Sequence, residues 1–180
     1  MNTQFFTGSG DDGLVKFGVA SKKKSDQCFH TLGLCDEINV FTGYAAESAN
    51  EQVKKYLFRI QELLFIVQAE LATVIFGGEK KIVIHISHIE ELEQMIIECD
   101  KQLEKINTFI IPRGSESALR IEIARVRARE FERVLIGLVG EYEISNELKT
   151  FSNRLSSVFF ALARYENHIR GIEEKCPIYK

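Results

Sequence analysis

Two prolines, no tryptophan and four scattered cysteines leave this 180-residue chain with few breaks and no covalent framework. Pro112 and Pro177 both fall outside the periodic segments, so amphipathic helices can run without kinks. Cys28, Cys35, Cys99 and Cys176 form no C-x-x-C pair and are too sparse for a disulfide scaffold, which predicts reduced thiols that serve as packing residues. Basic excess is missing as well: a formal charge of -3 and a pI near 5.9 give a nucleic-acid partner no electrostatic support. Lys22-Lys23-Lys24, the only basic run, reads as a solvated loop. No stretch approaches the roughly 18 uncharged apolar residues of a membrane span, and the opening Met1-Asn2-Thr3-Gln4 has no secretory pattern. A cytoplasmic protein with no membrane partner is expected. His85 and His88 lie three apart, but one sits in the apolar run IVIHI and the other near a helix start, which argues against a metal role.

Hydrophobic residues make up 45% of the chain, enough for one packed domain over residues 1–180 and too little length for two. The periodicity predicts five helices. The first covers about 31–48. The second runs over 51–76, with Val53, Leu57, Ile60, Leu64, Val67, Leu71 and Val74 on one face and Gly77-Gly78 as its stop. A capping box Ser87-x-x-Glu90 opens the third, which carries Leu92, Met95, Ile96, Cys99 and Leu103 towards Asn107. The fourth ends near Gly140 and buries Ile121, Ala124, Ala128, Phe131, Leu135 and Leu138. The fifth, about 145–170, buries Leu148, Phe151, Leu155, Phe159 and Leu162. Such helices, mostly joined by short connections, imply an all-α antiparallel bundle.

Arg125 and Arg129 flank the buried stripe of the fourth helix, one turn apart. Half-buried guanidiniums need carboxylate or phosphate partners, so they outline an anion site. An intrahelical salt-bridge ladder with Glu122, Glu130 and Glu132 explains the same spacing.

Four blocks in order give a sharper reading. They are Thr7-Gly8-Ser9-Gly10-Asp11-Asp12-Gly13 followed by Lys24, then Asp36-Glu37-Ile38-Asn39, then the segment from Phe109 to Arg133, then Asn153-Arg154-Leu155-Ser156. Together they resemble the cobalamin adenosyltransferases of the propanediol-utilisation type, with T-R-x-G-D-x-G, D-E-L-N, F-I-L-P-G-G with A-R-x-x-x-R-R-A-E-R, and N-R-L-S-D. The resemblance spans nearly the whole chain and implies a five-helix bundle that transfers the adenosyl group of ATP to reduced cobalamin. Residues 1–30 would then form a nucleotide-binding segment. Thr7, Ser9, Gly10, Asp11, Gly13, Lys24, Arg129, Glu132, Arg133 and Asn153 match the family's nucleotide and phosphate positions, with Asn153 placed to meet a magnesium ion. Asp36 matches an aspartate that pairs with the first helix arginine, here Arg125, across a subunit boundary, implying a homotrimer with intersubunit active sites. Phe109 matches the phenylalanine that excludes the lower axial ligand of cobalt. The product would pass to an adenosylcobalamin-dependent acceptor enzyme that the sequence does not specify.

Five positions depart from the pattern. Gly8 replaces an arginine, Leu14 a threonine, Arg113 a glycine, Glu130 an arginine and Ser157 an aspartate. Fewer cations should weaken triphosphate binding unless Lys22, Lys23 or Arg113 compensates. Besides the transferase, a noncatalytic corrinoid or nucleotide binder and a purely structural helical bundle therefore remain open at this point.

Overall fold

Asn50, Ser115 and Ser145 each stand one residue ahead of a long amphipathic run, and each side chain accepts a backbone N–H of the first turn that would otherwise lack a partner. These caps start three of five helices in a computed structural model that describes residues 5, 8–17, 20–79 and 81–179. The elements are β1 (Leu14–Phe17), β2 (Ala20–Lys23), α1 (Gln27–Ala46), α2 (Glu51–Phe76), α3 (Ile86–Asp100), α4 (Glu116–Gly137) and α5 (Asn146–Ile169). Thr7 lies outside the described residues. The chain is an all-α bundle with a small antiparallel hairpin, Leu14 opposite Lys23, which the hydrophobic pattern does not announce.

Helix directions follow from side-chain ties. Arg120, early in α4, donates to the Tyr44 carbonyl late in α1, and Asn167, late in α5, meets Ser115 at the start of α4. Those pairs are antiparallel. α3 is antiparallel to α2, through Arg59 with Glu91 and Tyr56 with Glu98, and parallel to α5, through Arg154 with Glu93 and Tyr165 with Gln102. α4 packs on α5 and α1, with α2 beyond α1 and α3 on the other flank of α5.

The expected stripes of α4 and α5 are buried in full, and that of α2 is buried except for Val74, which is only partly covered. Truncating one of these, such as Leu64 to alanine, should cost about 2–5 kcal/mol. Several boundaries differ from the sequence expectation, and α4 stops at Gly137, short of Gly140. α1 begins at Gln27, because Cys28 already packs into the core. α3 begins at Ile86, where the His85 N–H donates to His88 Nδ1 at 3.1 Å, so the cap is a histidine pair and not Ser87 with Glu90. α3 also stops at Asp100, and Arg164 then holds the departing chain through the Glu104 carbonyl at 2.9 Å.

Two buried carboxylates fasten the bundle ends. Glu70 accepts the Ile84 N–H and the Ser145 hydroxyl, each at 2.7 Å. At the other end Glu166, fully buried, accepts the Asn50 N–H, the Ser117 hydroxyl and the Arg170 guanidinium. Each carboxylate would be costly to bury without those donors. Cys28, Cys35 and Cys99 are buried as expected, and burial pushes the Cys99 thiol up to about 12. Cys176 is exposed in the C-terminal tail and is no packing residue. No helix among the described residues is long and apolar enough to cross a membrane.

Candidate functional site

The loop that leads into α4 forms one wall of a cleft of about 1030 Å³. Phe109 stands on that loop with 78% of its surface exposed, a large apolar ring presented to the cleft and not to the core. Glu122, Arg125 and Arg129 of α4 form the second wall, Ser156, Ser157 and Phe160 of α5 the third, and Tyr179 of the tail reaches the rim. The cleft thus joins apolar and cationic surface, suited to a large planar ligand with polar edges.

The salt-bridge ladder forms only in part. Arg125 donates to Glu122 at 2.6 Å and its guanidinium lies 5.9 Å from the Phe160 ring centre. Glu130 is taken by Arg127, at 2.7 Å, and Arg127 also meets Glu37 of α1 at 3.1 Å. Glu132 accepts the Asn153 amide at 2.7 Å, and the Asn153 carbonyl oxygen accepts from Arg154 at 2.9 Å. Arg129 and Arg133 are exposed and have no carboxylate within ion-pair distance among the described residues. Two cations on one face of α4 are left for an anion from outside the chain.

The glycine-rich segment is shaped by positive φ angles. Gly10 has φ of 87° and Gly13 of 77°, a region that glycine enters without steric cost. Lys24 lies across Gly10 so closely that a β-carbon there would meet its Cε and Nζ at 3.0 Å. The Asp11 N–H reaches the Gly8 carbonyl at 3.5 Å, Ser9 is exposed, and neighbouring Asp12 accepts the Leu14 N–H and the Lys16 ammonium. Those two hydrogen bonds hold the Asp12 carboxyl below the usual carboxylate range. Lys22 is not free to replace a missing arginine, because its ammonium donates to the Tyr142 hydroxyl at 2.9 Å and fastens the hairpin to the α4–α5 turn. That bond also raises the Lys22 pKa.

Within one chain the expected site residues do not share one pocket. Phe109, Arg125 and Arg129 share the large cleft, whereas Lys24 lines a separate depression of about 390 Å³ with Phe29, His30 and Glu37. Asp36 is exposed on α1 and forms no ion pair with Arg125, whose partner is Glu122. Sequence reasoning missed Asn167, Arg164 and Glu174, which also line the cleft. The available signal was the pair Glu166-Asn167, polar residues that continue the buried surface of α5.

An up-and-down five-helix bundle with such a cleft is the architecture of the PduO-type ATP:corrinoid adenosyltransferases. A phenylalanine-to-alanine variant of that enzyme from Lactobacillus reuteri, complexed with cobalamin and ATP, superposes with a TM-score of 0.89 at 28% identity, covering 97% of this chain and 99% of that one. An arginine-to-lysine variant complexed with ATP gives 0.87 over 97% of this chain and all of that one. The chain belongs to the Cobalamin adenosyltransferase family, whose profile matches residues 5–166. Corrinoid adenosyltransferase MMAB of Mus musculus is 32% identical over 98% of this chain and 77% of its own length. A corrinoid adenosyltransferase of Citrobacter freundii is 30% identical over 91% and 94%.

Proposed function

We propose that this protein transfers the 5′-deoxyadenosyl group of ATP to cob(I)alamin, giving adenosylcobalamin and triphosphate. The observation that carries the reading is the cleft that sets exposed Phe109 against α4 arginines, one of which, Arg129, has no carboxylate partner among the described residues. A salt-bridged structural bundle has no use for either feature. The enzymatic names of the relatives favour transfer over a noncatalytic binder.

In the reaction the cobalt(I) electron pair attacks C5′ of ATP, the C5′–O5′ bond breaks, and triphosphate leaves with the bonding pair. Charge therefore builds on the leaving oxygen. Arg129 and Arg133 stabilise it, and they do so best where water is excluded. The hairpin wraps the nucleotide, with Lys24 and the backbone of Gly10 and Gly13 against the phosphates. Glu132 and the Asn153 carbonyl would offer oxygen ligands to a magnesium ion, which would supply positive charge to the triphosphate. Phe109 occupies the lower face of the corrin, denies cobalt(II) its axial donor and so makes cobalt(I) accessible.

Separation of the Lys24 depression from the arginine cleft supports an active site completed by a neighbouring copy. The assembly is a homotrimer in which Asp36 of one subunit meets Arg125 of the next. Residues 1–180 act as one domain, and the product goes to an adenosylcobalamin-dependent acceptor.

Mixing the protein with chemically reduced cobalamin and ATP tests the reaction. Loss of the cobalt(I) spectrum with gain of adenosylcobalamin is expected; binding without turnover would leave a corrinoid carrier, and neither would leave a structural bundle.

A further inference from the structure

The turn between the Phe109 loop and α4 is bridged by the Asn167 side chain of α5, beside Glu166, which accepts the Ser117 hydroxyl of the first α4 turn. Asn167, 6% exposed, donates Nδ2–H to the Arg113 carbonyl at 2.8 Å and accepts the Ser115 N–H on Oδ1 at 3.0 Å. Its amide thereby spans Gly114, at φ of 131°, so closely that a β-carbon at that position would lie 1.9 Å from Oδ1. Ser115 is the cap of α4 and accepts the Ala118 N–H at 3.1 Å. One amide therefore fixes both the end of the loop that carries Phe109 and the start of the helix that carries Arg125 and Arg129.

Phe109 cannot place itself. With most of its ring exposed, it has too few contacts to fix its position, so the anchors further along the loop decide where it stands. Those anchors are the Ile111 N–H bond to the Lys175 carbonyl at 2.8 Å and the Asn167 bond to Arg113.

We propose that Asn167 is a positioning residue for adenosyl transfer, setting Phe109 in register with the α4 arginines across the corrin cleft. This rests on the transferase reading above. A side-chain amide offers a donor to Arg113 and an acceptor to Ser115 from one planar group at any pH, whereas an ionised carboxylate only accepts. Asn167→Asp keeps the acceptor but turns a carboxylate oxygen towards the Arg113 carbonyl, so the loop end is released while the helix cap stays. Small displacements of a reacting arrangement are costly, and the variant should lose on the order of tenfold to a hundredfold in kcat/KM for the corrinoid. ATP affinity should stay within about twofold, because no ATP-facing group moves. A purely structural role would depress both.

The chain has no tryptophan, so Phe109→Trp supplies a unique fluorophore on the loop. Its anisotropy should fall when Asn167→Asp is added, and the spectrum of the ligand-free cobalt(II) state should weaken in the single Asn167→Asp variant. Unchanged anisotropy, unchanged corrinoid kinetics, or a parallel loss of ATP affinity would each overturn the assignment. Should Asn167→Asp not fold, Asn167→Ala removes both bonds without burying a charge and is read by the anisotropy and the corrinoid kinetics, since it releases the Ser115 end of α4 as well. A wild-type protein without transfer activity would sink the functional reading itself; an active wild type matched by its Asn167→Asp form sinks the clamp alone.

Discussion

Glu132 on α4 accepts the Asn153 amide of α5 at 2.7 Å, three residues from Arg129 on the same helix. Two residues 21 positions apart in sequence are thus brought into contact beside a cation that has no carboxylate partner among the described residues. The α4–α5 pairing creates this polar edge, and the proposed reaction depends on Arg129 remaining unpaired.

Arg129→Ala should lower kcat by on the order of a hundredfold to a thousandfold, the scale seen when one charge-stabilising donor is removed. Arg129 is exposed and adds no core volume, so the urea midpoint should hardly move, within about 0.5 kcal/mol. Turnover at the wild-type rate in a folded variant would return Arg129 to the role of a surface charge.

Phe109→Ala should behave differently. ATP affinity is expected to stay at the wild-type level, while the ligand-free cobalt(II) spectrum disappears and turnover with a mild reductant falls. The side chain is exposed, so stability should again change by less than about 0.5 kcal/mol. A loss of ATP binding, or a large drop in melting temperature, would show that the ring packs against protein in the assembled state.

Much of the bundle was legible because burial imposes a 3.6-residue period. The stripes of α4 and α5 could be read residue by residue, and so could the bounds of α2, 51–76, with Gly77-Gly78 as its stop. The N-terminal hairpin was not legible. Its four-residue strands carry no alternating apolar pattern, and the bond from Lys22 to Tyr142 that fastens it reaches a residue 120 positions away. The arginine helix showed the same limit: spacing permits Arg125, Arg127 and Arg129 to pair with several glutamates, and only the fold reveals that Arg127 takes Glu130 and Glu37. Asn167 escaped notice because a polar residue near a helix end reads as solvated until the turn packed over it is known.

Light scattering at micromolar concentration should give the mass of three chains. Asp36→Asn should loosen that assembly or leave Arg125 with Glu122, as in the single chain, while circular dichroism stays helical. The expectation follows from Asp36 being exposed and unpaired among the described residues of one copy, although a carboxylate and a guanidinium at a boundary are best satisfied together. A monomeric wild type would leave the Lys24 depression and the arginine cleft apart, and an intersubunit site would then have no basis.

The altered charges give the last prediction. Gly8 has φ of 73°, so restoring an arginine there would force a side-chain-bearing residue into left-handed backbone at about 1–2 kcal/mol, offsetting part of any electrostatic gain. Glu130→Arg is the cleaner variant. Glu130 is held by Arg127, which keeps a second partner in Glu37 when Glu130 is replaced, so α1 and α4 stay tied while a cation joins the face that bears Arg129 and Arg133. The apparent KM for ATP should fall a few-fold at low salt, and the gain should shrink as salt rises. Lys24→Ala should act in the opposite sense, since its ammonium lies over Gly10 where the phosphates are expected. Corrinoid affinity should move less than ATP affinity in both variants. If ATP kinetics are indifferent to both substitutions at every salt concentration, the triphosphate does not lie between the hairpin and α4, and the nucleotide half of the site must be sought elsewhere on the bundle.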